Sequence, residues 1–186
     1  MKIILLGKMG AGKDTVADYL CKEYGFVGFA FAGKVKEVAR DLFPDAFVAG
    51  KPRELLQSVG QKMREIQKEC WTHYVMRQVE KLSPGTKVVI TDCRYLNELH
   101  IAQSYGFKPI VVECMEELRI ERLIARDGSF NPATLKHISE TELDQLDTDM
   151  STIFNDGSRG RLFSLVDWVI EMIKKDINTE ETPLCK

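Results

Sequence analysis

The feature that most constrains this chain is a glycine-rich segment close to its start. Ile3 to Leu6 is a short, uninterrupted apolar run, which is typical of a strand buried on both faces. The segment Gly7-Lys8-Met9-Gly10-Ala11-Gly12-Lys13 follows, and residues 13–24 then have the spacing of a helix that stops at Gly25. Glycines let backbone N–H groups turn inward, and a helix N-terminus adds partial positive charge. The order of strand, loop and helix therefore predicts a polyphosphate-binding loop.

The loop matches seven positions of the pattern G-x-x-x-x-G-K-[ST], in which the lysine reaches the β- and γ-phosphates of a nucleotide. The eighth position departs from the pattern, because Asp14 stands there and Thr15 comes next. Asp14 could hold Mg²⁺ directly or through water, or it could be only a favourable acid in the first helical turn. Thr15 could contact the α-phosphate or the metal. The predicted nucleotide-binding residues of this segment are Gly10, Ala11, Gly12, Lys13, Asp14 and Thr15.

A second acidic position follows a later strand. Val88-Val89-Ile90 is a buried-type apolar run that leads directly to Thr91-Asp92, and Arg94 lies two residues further on. The carboxyl ends of parallel strands meet at the ligand-binding edge of a sheet. We expect Asp92 to support the Mg²⁺ shell and Arg94 to grip a phosphate. The alternative is an acid that caps a helix and an arginine on the surface.

Three arginines recur at helical spacing. Arg119, Arg122 and Arg126 share one face of the helix predicted over residues 116–126. The face could be solvated and paired with neighbouring glutamates. Because it lies downstream of a phosphate-binding loop and precedes Asp127-Gly128-Ser129, we favour a lid that covers the transferring phosphate, with Arg122 and Arg126 as its contacts.

Composition excludes several classes of protein. The 186 residues contain 26 Lys plus Arg and 28 Asp plus Glu, a formal net charge of −2, whereas nucleic-acid-binding domains are usually basic. Five cysteines without a C-x-x-C pair argue against a disulfide framework or a zinc site. No apolar run approaches the roughly 18 residues that cross a bilayer. We expect one domain over residues 1–186, in the cytoplasm, without nucleic-acid or membrane partners.

Short apolar runs alternate with helical patterns along most of the chain. This alternation predicts an α/β fold with a parallel sheet and right-handed crossovers. The predicted strands cover 3–6, 26–32, 88–90, 109–114 and 151–154. The predicted helices cover 13–24, 34–43, 52–69, 71–82, 97–105, 116–126, 139–146 and 161–175, and a frayed tail follows over 176–186.

Other segments are distinctive only in combination. They are Phe31-Ala32-Gly33-Lys34-Val35-Lys36-Glu37, Leu56-Gln57-Ser58-Val59-Gly60 with Arg64 and Trp71, Thr91-Asp92-Cys93-Arg94-Tyr95-Leu96-Asn97-Glu98, His137-Ile138-Ser139-Glu140, and Ile153-Phe154-Asn155-Asp156-Gly157-Ser158. With the Gly-Lys-Asp-Thr loop, they resemble the deoxynucleoside monophosphate kinases of bacteriophages over about residues 1–170. Animal phosphomevalonate kinases are similar in places, including a Gly-Lys-Asp loop.

The resemblance implies a three-layer P-loop fold like that of nucleoside monophosphate kinases, with a parallel sheet and a helical lid. It implies acceptor-binding helices in residues 33–82, a lid in 116–146, and Mg²⁺-dependent phosphoryl transfer from ATP to a deoxynucleoside 5′-monophosphate. A homodimer is compatible with it. The implied catalytic residues are Lys13, Asp92, Arg94, Arg122 and Arg126, with Asp14, Thr15 and Asp92 as metal ligands. Asn155 and Gly157 would join the ATP site, and Lys34, Gln57, Arg64, Trp71 and Arg94 would bind the acceptor.

Some alternatives stay open at this point. Trp71 could stack on the acceptor base or be a core aromatic residue, and Gln57 could contact a base edge or face solvent. His137 and Glu140 are expected to be lid or capping residues. The rival functions are a kinase of another small phosphorylated metabolite, such as phosphomevalonate or dephospho-coenzyme A, and a regulatory P-loop nucleotide switch.

Overall fold

The computed structural model describes residues 1–48, 50, 52–128, 130–132, 141–145 and 150–180. Over these residues the chain forms five strands, seven α-helices and two short 3-10 turns, at Pro44–Phe47 and Glu142–Gln145. The strands are β1 (Lys2–Leu6), β2 (Val27–Phe29), β3 (Val88–Ile90), β4 (Lys108–Glu113) and β5 (Ser151–Phe154). The helices are α1 (Lys13–Tyr24), α2 (Phe31–Leu42), α3 (Arg53–Ile66), α4 (Cys70–Val79), α5 (Leu96–Ser104), α6 (Glu116–Asp127) and α7 (Arg159–Glu180).

All five strands belong to one parallel sheet in the order β2-β3-β1-β4-β5. The central strand β1 is buried on both faces. Ile3 and Leu5 belong to one hydrophobic cluster, and Ile4 and Leu6 belong to the other. The uninterrupted apolar run is therefore explained, because a strand covered by helices on both faces has no solvent-facing position. The predicted α/β fold with a parallel sheet is confirmed.

Helices cover the two faces of the sheet as separate layers. One cluster joins the sheet to α1 and α7, and the other joins it to α2, α4 and α5. The carboxyl ends of β1, β3 and β4 lead into the loops that precede α1, α5 and α6. This three-layer arrangement brings the glycine loop, the segment after Ile90 and the arginine-bearing helix to the same edge of the sheet.

The second strand and the helix after it differ from the sequence prediction. The sequence predicts a strand over 26–32 and a helix from Lys34, but β2 covers only Val27–Phe29 and α2 begins at Phe31. The first N–H groups of α2, at Phe31 and Ala32, donate to the two carboxylate oxygens of Asp92 at 2.7 and 2.8 Å. This long-range cap fixes the helix start, and no residue near position 31 encodes it.

Other boundaries also differ, and α4, for example, ends at Val79 rather than at residue 82. α3 ends at Ile66 rather than near residue 69, because Gln67 is extended (φ −147°, ψ 110°) before α4 starts at Cys70. α7 continues through Glu180 instead of fraying after Lys175, since the sequence contains no glycine or proline over residues 176–180. Of the helical stretch predicted over 139–146, the described part holds the turn Glu142–Gln145. Within the described part of the chain, no helix is both long and apolar enough to cross a membrane.

Candidate active site

The glycine loop connects β1 to α1 and packs against α6 and against Asn155, the residue that follows β5. Gly10 has φ +83° and Gly12 has φ +103°, conformations that side chains rarely adopt. A Cβ at Gly12 would collide with the amide nitrogen of Asn155, and a Cβ at Gly10 would lie 2.8 Å from the carbonyl oxygen of Arg119. The glycines are therefore required both for the turn and for close packing against neighbouring elements.

Lys13 is the central charged group of the loop. Its side chain is only 7% exposed, and Nζ donates hydrogen bonds to the carbonyl oxygens of Gly7 and Lys8, the latter at 3.1 Å. Burial, followed by the positive charge of Arg94, lowers the pKa of Lys13 to about 8, against the opposing effect of Asp14 and Asp92. An ammonium held in such a pocket gains most from an anion that replaces the lost water.

Asn155 and Arg122 link the end of β5 to the loop. Asn155 is buried, and its amide nitrogen donates to the carbonyl oxygen of Ala11 at 2.8 Å. The backbone carbonyl oxygen of Asn155 accepts a 2.9 Å hydrogen bond from Nη2 of Arg122. Nη1 of Arg122 contacts the sulfur of Cys114 at 3.2 Å. Gly157 is exposed two residues further on. The structure thus brings Asn155 and Arg122 together beside the loop.

Arg119 has a role that the sequence analysis missed. Only 4% of its surface is exposed, and Nη1 donates to the carbonyl oxygen of Met9 at 3.2 Å. The guanidinium therefore contacts the backbone of the glycine loop instead of facing solvent. The spacing could have indicated this role, since Arg119 precedes the apolar residue Leu123 by four positions and therefore shares a helix face with it. A charged residue on the apolar stripe of a helix indicates a buried polar partner.

Asp92 lies at the end of β3, where the sequence placed it. Both of its carboxylate oxygens accept backbone N–H groups from the start of α2. Burial raises the pKa of this carboxyl, and the hydrogen bonds from α2 and the charge of Arg94 oppose that effect. The geometry matches the helix-capping alternative. Because a carboxylate oxygen has two lone pairs, the capping contacts still leave room for water-mediated contact with a metal.

Arg94, Arg64 and Glu98 meet beside Asp92. Nη2 of Arg64, on α3, lies 3.1 Å from Oε1 of Glu98. Oε2 of Glu98 accepts the backbone N–H groups of Arg94 and Tyr95 at 2.9 and 3.3 Å. The guanidinium of Arg64 also lies over the ring of Tyr95, 4.7 Å from its centroid. One buried carboxylate thus contacts the side chain of Arg64 and the backbone of Arg94, the two arginines that the sequence assigned to the acceptor.

Arg126 is at the solvent-exposed end of α6. Its guanidinium makes two hydrogen bonds to Asp127, at 3.0 and 2.8 Å, and Asp14 is among the negative charges that raise its pKa. Arg122 and Arg126 therefore differ in burial, because Arg122 is half-buried whereas the side chain of Arg126 is 52% exposed.

The remaining predicted acceptor residues do not gather at one point. Trp71 is 5% exposed, and its indole N–H donates to the carbonyl oxygen of Gly60 at 3.1 Å, so the geometry favours the core alternative. Gln57 is exposed. Nζ of Lys34 contacts Glu37 and lies 5.2 Å from the ring centroid of Tyr74. His137 and Glu140, which the sequence assigned to the lid or to helix caps, lie outside the described residues.

The oxygen groups around the loop fit a magnesium ion. Asp14 is exposed and Thr15 half-buried in the first turn of α1, next to Lys13. Within the described residues, no three His, Cys, Asp or Glu side chains form a metal-binding group. Mg²⁺ bound with a nucleotide needs only one or two protein oxygens, since phosphates and water supply the rest. Carboxylate and hydroxyl oxygens are the ligand type that this ion prefers.

These features define a P-loop nucleotide-binding protein of the three-layer α/β type. The sequence pattern of the family described as AAA domain matches residues 3–141 of the chain, and the chain therefore belongs to that family. The predicted P-loop fold is thereby confirmed.

Two viral proteins are similar to this chain in sequence. A protein of Acanthamoeba polyphaga mimivirus, whose name proposes a deoxynucleotide monophosphate kinase, is 28% identical over 131 residues, which cover 55% of this chain and 68% of the relative. Uncharacterized protein ORF76 of Ictalurid herpesvirus 1 is 25% identical over 113 residues, which cover 59% of this chain and 46% of the relative. The chain thus spans less than half of the herpesvirus protein.

The fold matches that of kinases with solved structures. The crystal structure of a gluconokinase from Sinorhizobium meliloti has a TM-score of 0.63 to this chain, covers 97% of both chains and shares 14% of their residues. At that identity, the likeness concerns the fold.

Proposed function

We propose that this chain is a kinase that transfers the γ-phosphate of ATP to a deoxynucleoside 5′-monophosphate, in the presence of Mg²⁺. The P-loop and the fold shared with a gluconokinase support the kinase activity. The acceptor is supported by the name of the mimivirus relative. The arginines near the glycine loop also support an acceptor that carries a phosphate.

The observation that carries the proposal is the proximity of Lys13 and Arg94. The charge of Arg94 helps to lower the pKa of Lys13, whereas the charges of Asp14 and Asp92 oppose this effect, so the four groups act on one region of the site. A bound polyphosphate or phosphate monoester would offset the repulsion between the two cations. A donor phosphate at Lys13 beside an acceptor phosphate at Arg94 would have this effect.

The residues have separate tasks in this mechanism. Lys13 and the loop N–H groups hold the donor phosphates, and Arg122 and Arg126 cover the charge that develops during transfer. Arg94 and Arg64 hold the acceptor phosphate, whose oxygen is already a competent nucleophile, so no general base is required. Bound Mg²⁺ would neutralise the donor phosphates, with Asp14 or Thr15 as direct ligands and Asp92 acting through water.

The proposed organisation is a single domain with two specialised segments. Residues 33–82 would bind the acceptor, and residues 116–146 would serve as a lid. Asn155 and Gly157, after β5, would form the side of the ATP site that is nearest to the adenine. Catalysis would then come from positioning and charge stabilisation, with no covalent intermediate on the protein.

The test is a coupled assay of ADP release with ATP and Mg²⁺. The acceptors are the deoxynucleoside and ribonucleoside monophosphates, gluconate, phosphomevalonate and dephospho-coenzyme A. Turnover confined to one or more deoxynucleotides would support the proposal. Turnover on another acceptor would show that the substrate is that compound and not a deoxynucleotide. Slow hydrolysis of ATP without any acceptor would favour a nucleotide switch. Lys13→Met is the control, and its turnover should fall about 100- to 1,000-fold or more.

A further inference from the structure

Glu98 is a buried carboxylate that the proposed reaction does not use directly. Only 2% of its surface is exposed. Oε1 contacts the guanidinium of Arg64 at 3.1 Å, while Oε2 accepts N–H groups of Arg94 and Tyr95 at 2.9 and 3.3 Å. Its two oxygens therefore contact two different elements, helix α3 and the loop between β3 and α5.

These contacts fix the guanidinium of Arg64 from two directions. Glu98 contacts one edge of the planar group, and the ring of Tyr95 covers one face, with the guanidinium carbon 4.7 Å from the ring centroid. A guanidinium has five N–H donors, and the hydrogen bond to Glu98 engages one of them. The side chain of Arg64 is 22% exposed, so these contacts do not enclose it completely.

Glu98 also sets the path of the backbone that carries Arg94. The N–H groups of two consecutive residues, Arg94 and Tyr95, converge on Oε2 at the start of α5. A carboxylate that accepts N–H groups at a helix N-terminus is a stable arrangement, because the partial positive charge of the helix end favours it. The position of Arg94 therefore depends on the same side chain that orients Arg64.

Ionisation of Glu98 is unfavourable for the fold. Burial raises its pKa to about 7, although the hydrogen bond from Arg94 and the charge of Arg64 oppose this effect. The charged and titratable groups around it are Arg64, Arg94, Asp92, Cys93 and Tyr95. A folded pKa above the ordinary value of 4.5 means that folding favours the protonated form, and that this stabilisation is lost as pH rises through about 7. A buried charge retained against such a penalty is a common feature of functional sites.

We propose that Glu98 is the positioning residue of the acceptor-phosphate site, because its carboxylate holds Arg64 and the Arg94 loop in one arrangement that fits a phosphate monoester. This inference rests on the proposed function and deepens it. The ionised carboxylate is the competent form, since it accepts hydrogen bonds from both sides at once. Protonation or amidation replaces one acceptor with a donor that faces either Arg64 or the two N–H groups.

The first experiment compares steady-state kinetics of wild type and Glu98→Gln. We expect KM for the deoxynucleoside monophosphate to rise about 10- to 100-fold, which is the effect expected when binding loses one charge-assisted hydrogen bond. KM for ATP should stay within about threefold. The melting temperature should fall only moderately, because the lost hydrogen bonds are partly offset by the removal of a buried charge. Glu65→Gln is the matched control, since it removes an exposed ion pair with Lys62 on the same helix as Arg64; its constants should equal those of wild type.

The second experiment is a pH profile, which a purely structural role would not change. In wild type, kcat/KM for the acceptor should fall as pH decreases through about 7. The ionisation of the substrate phosphate, with a pKa near 6, contributes to both enzymes. The additional decrease in kcat/KM near pH 7 should be absent in Glu98→Gln. If that variant fails to fold, Arg64→Met supplies the comparison. It removes one of the two interactions that the charge of Glu98 controls, so the additional decrease in kcat/KM near pH 7 should be smaller than in wild type.

Each outcome decides between distinct conclusions. Wild type that phosphorylates no monophosphate overturns the proposed function, and the inference falls with it. Active wild type with an unchanged acceptor KM in folded Glu98→Gln overturns the inference alone. Equal increases in both KM values would show a structural role only, and would also overturn it.

Discussion

Arg53, at the start of α3, donates a hydrogen bond to Asp127, at the end of α6, with 2.6 Å between Nη2 and Oδ2. The same carboxylate accepts two hydrogen bonds from Arg126. These partners, Arg126 first, lower the pKa of Asp127 to about 2. The contact joins the helices predicted to bind the acceptor to the helix predicted to form the lid. All three side chains are at least 26% exposed, so solvent screens the interaction.

A double-mutant cycle with Arg53→Ala and Asp127→Ala should measure this bridge. We expect a coupling free energy of about 0.2–1 kcal/mol at low salt, as for other exposed ion pairs. Because the pKa of Asp127 is lower in the folded protein than its usual 3.8, the contribution is present above about pH 4 and lost as pH falls towards 2. Urea denaturation at pH 7 in low and high salt provides the measurement. Zero coupling at low salt would mean that the pair does not form in solution.

The contact between Gly12 and Asn155 gives a second prediction. Gly12→Ala should destabilise the protein and abolish ATP binding, because the new Cβ meets the Asn155 amide and φ is +103°. Asn155→Ala should cost about 1–3 kcal/mol, since the buried carbonyl oxygen of Ala11 loses its partner. The double variant should be more stable than the sum of the single changes predicts, because removing the Asn155 side chain relieves the collision.

Urea denaturation and calorimetric titration with ATP would measure both effects. Gly25→Ala is the matched control. Gly25 also has positive φ (+70°), but a Cβ added there would have no heavy atom within 4 Å, so this variant isolates backbone strain from collision. Strictly additive costs in the Gly12 and Asn155 variants would contradict the proposed contact.

The sequence was most informative where structure depends on neighbours in the chain. The predicted bounds of α1, residues 13–24, agree with the structure at both ends, since a glycine loop precedes the helix and Gly25 ends it. The run at Ile3 to Leu6 correctly indicated a strand covered on both faces. Periodicity, turns and short motifs are local signals, and local signals are sufficient for these elements.

The sequence was less informative where a residue far away in the chain determines the local structure. The start of α2 depends on Asp92, 61 positions away, and the burial of Arg119 depends on the carbonyl oxygen of Met9, 110 positions away. Glu98 belonged to a recognised motif, but its contact with Arg64 joins residues that are 34 positions apart in the chain. Such contacts depend on tertiary structure, which periodicity within one element cannot specify.

The low pKa of Lys13 predicts a pH dependence of nucleotide binding. With a pKa of about 8 in the free protein, Lys13 is charged at pH 7 and mostly neutral at pH 9. Bound phosphates stabilise the charged form, so ATP binding near pH 8 should take up protons. Between pH 7 and 9, ATP affinity should fall about tenfold. Calorimetry in two buffers with different ionisation enthalpies measures the uptake.

Lys13→Met is the control for this dependence. It should bind ATP weakly and without the proton uptake near pH 8. The free protein adds a second check. Because the folded pKa lies below the usual 10.5, wild type should gain stability relative to Lys13→Met as pH rises from about 8 to 10.5. Identical proton uptake in the two proteins would assign the titration to another group.

Trp71 provides the final prediction, which separates its two roles. Trp71→Phe removes the hydrogen bond from the indole N–H to the carbonyl oxygen of Gly60 and leaves a smaller ring in the core. We expect a loss of about 1–3 kcal/mol in the free energy of unfolding. KM for the acceptor should stay within about threefold, because the buried ring is not available to stack on a base. Trp168→Phe, at a 61% exposed position on α7, is the control and should change neither quantity. An acceptor KM raised tenfold or more in folded Trp71→Phe would instead place the indole against the substrate.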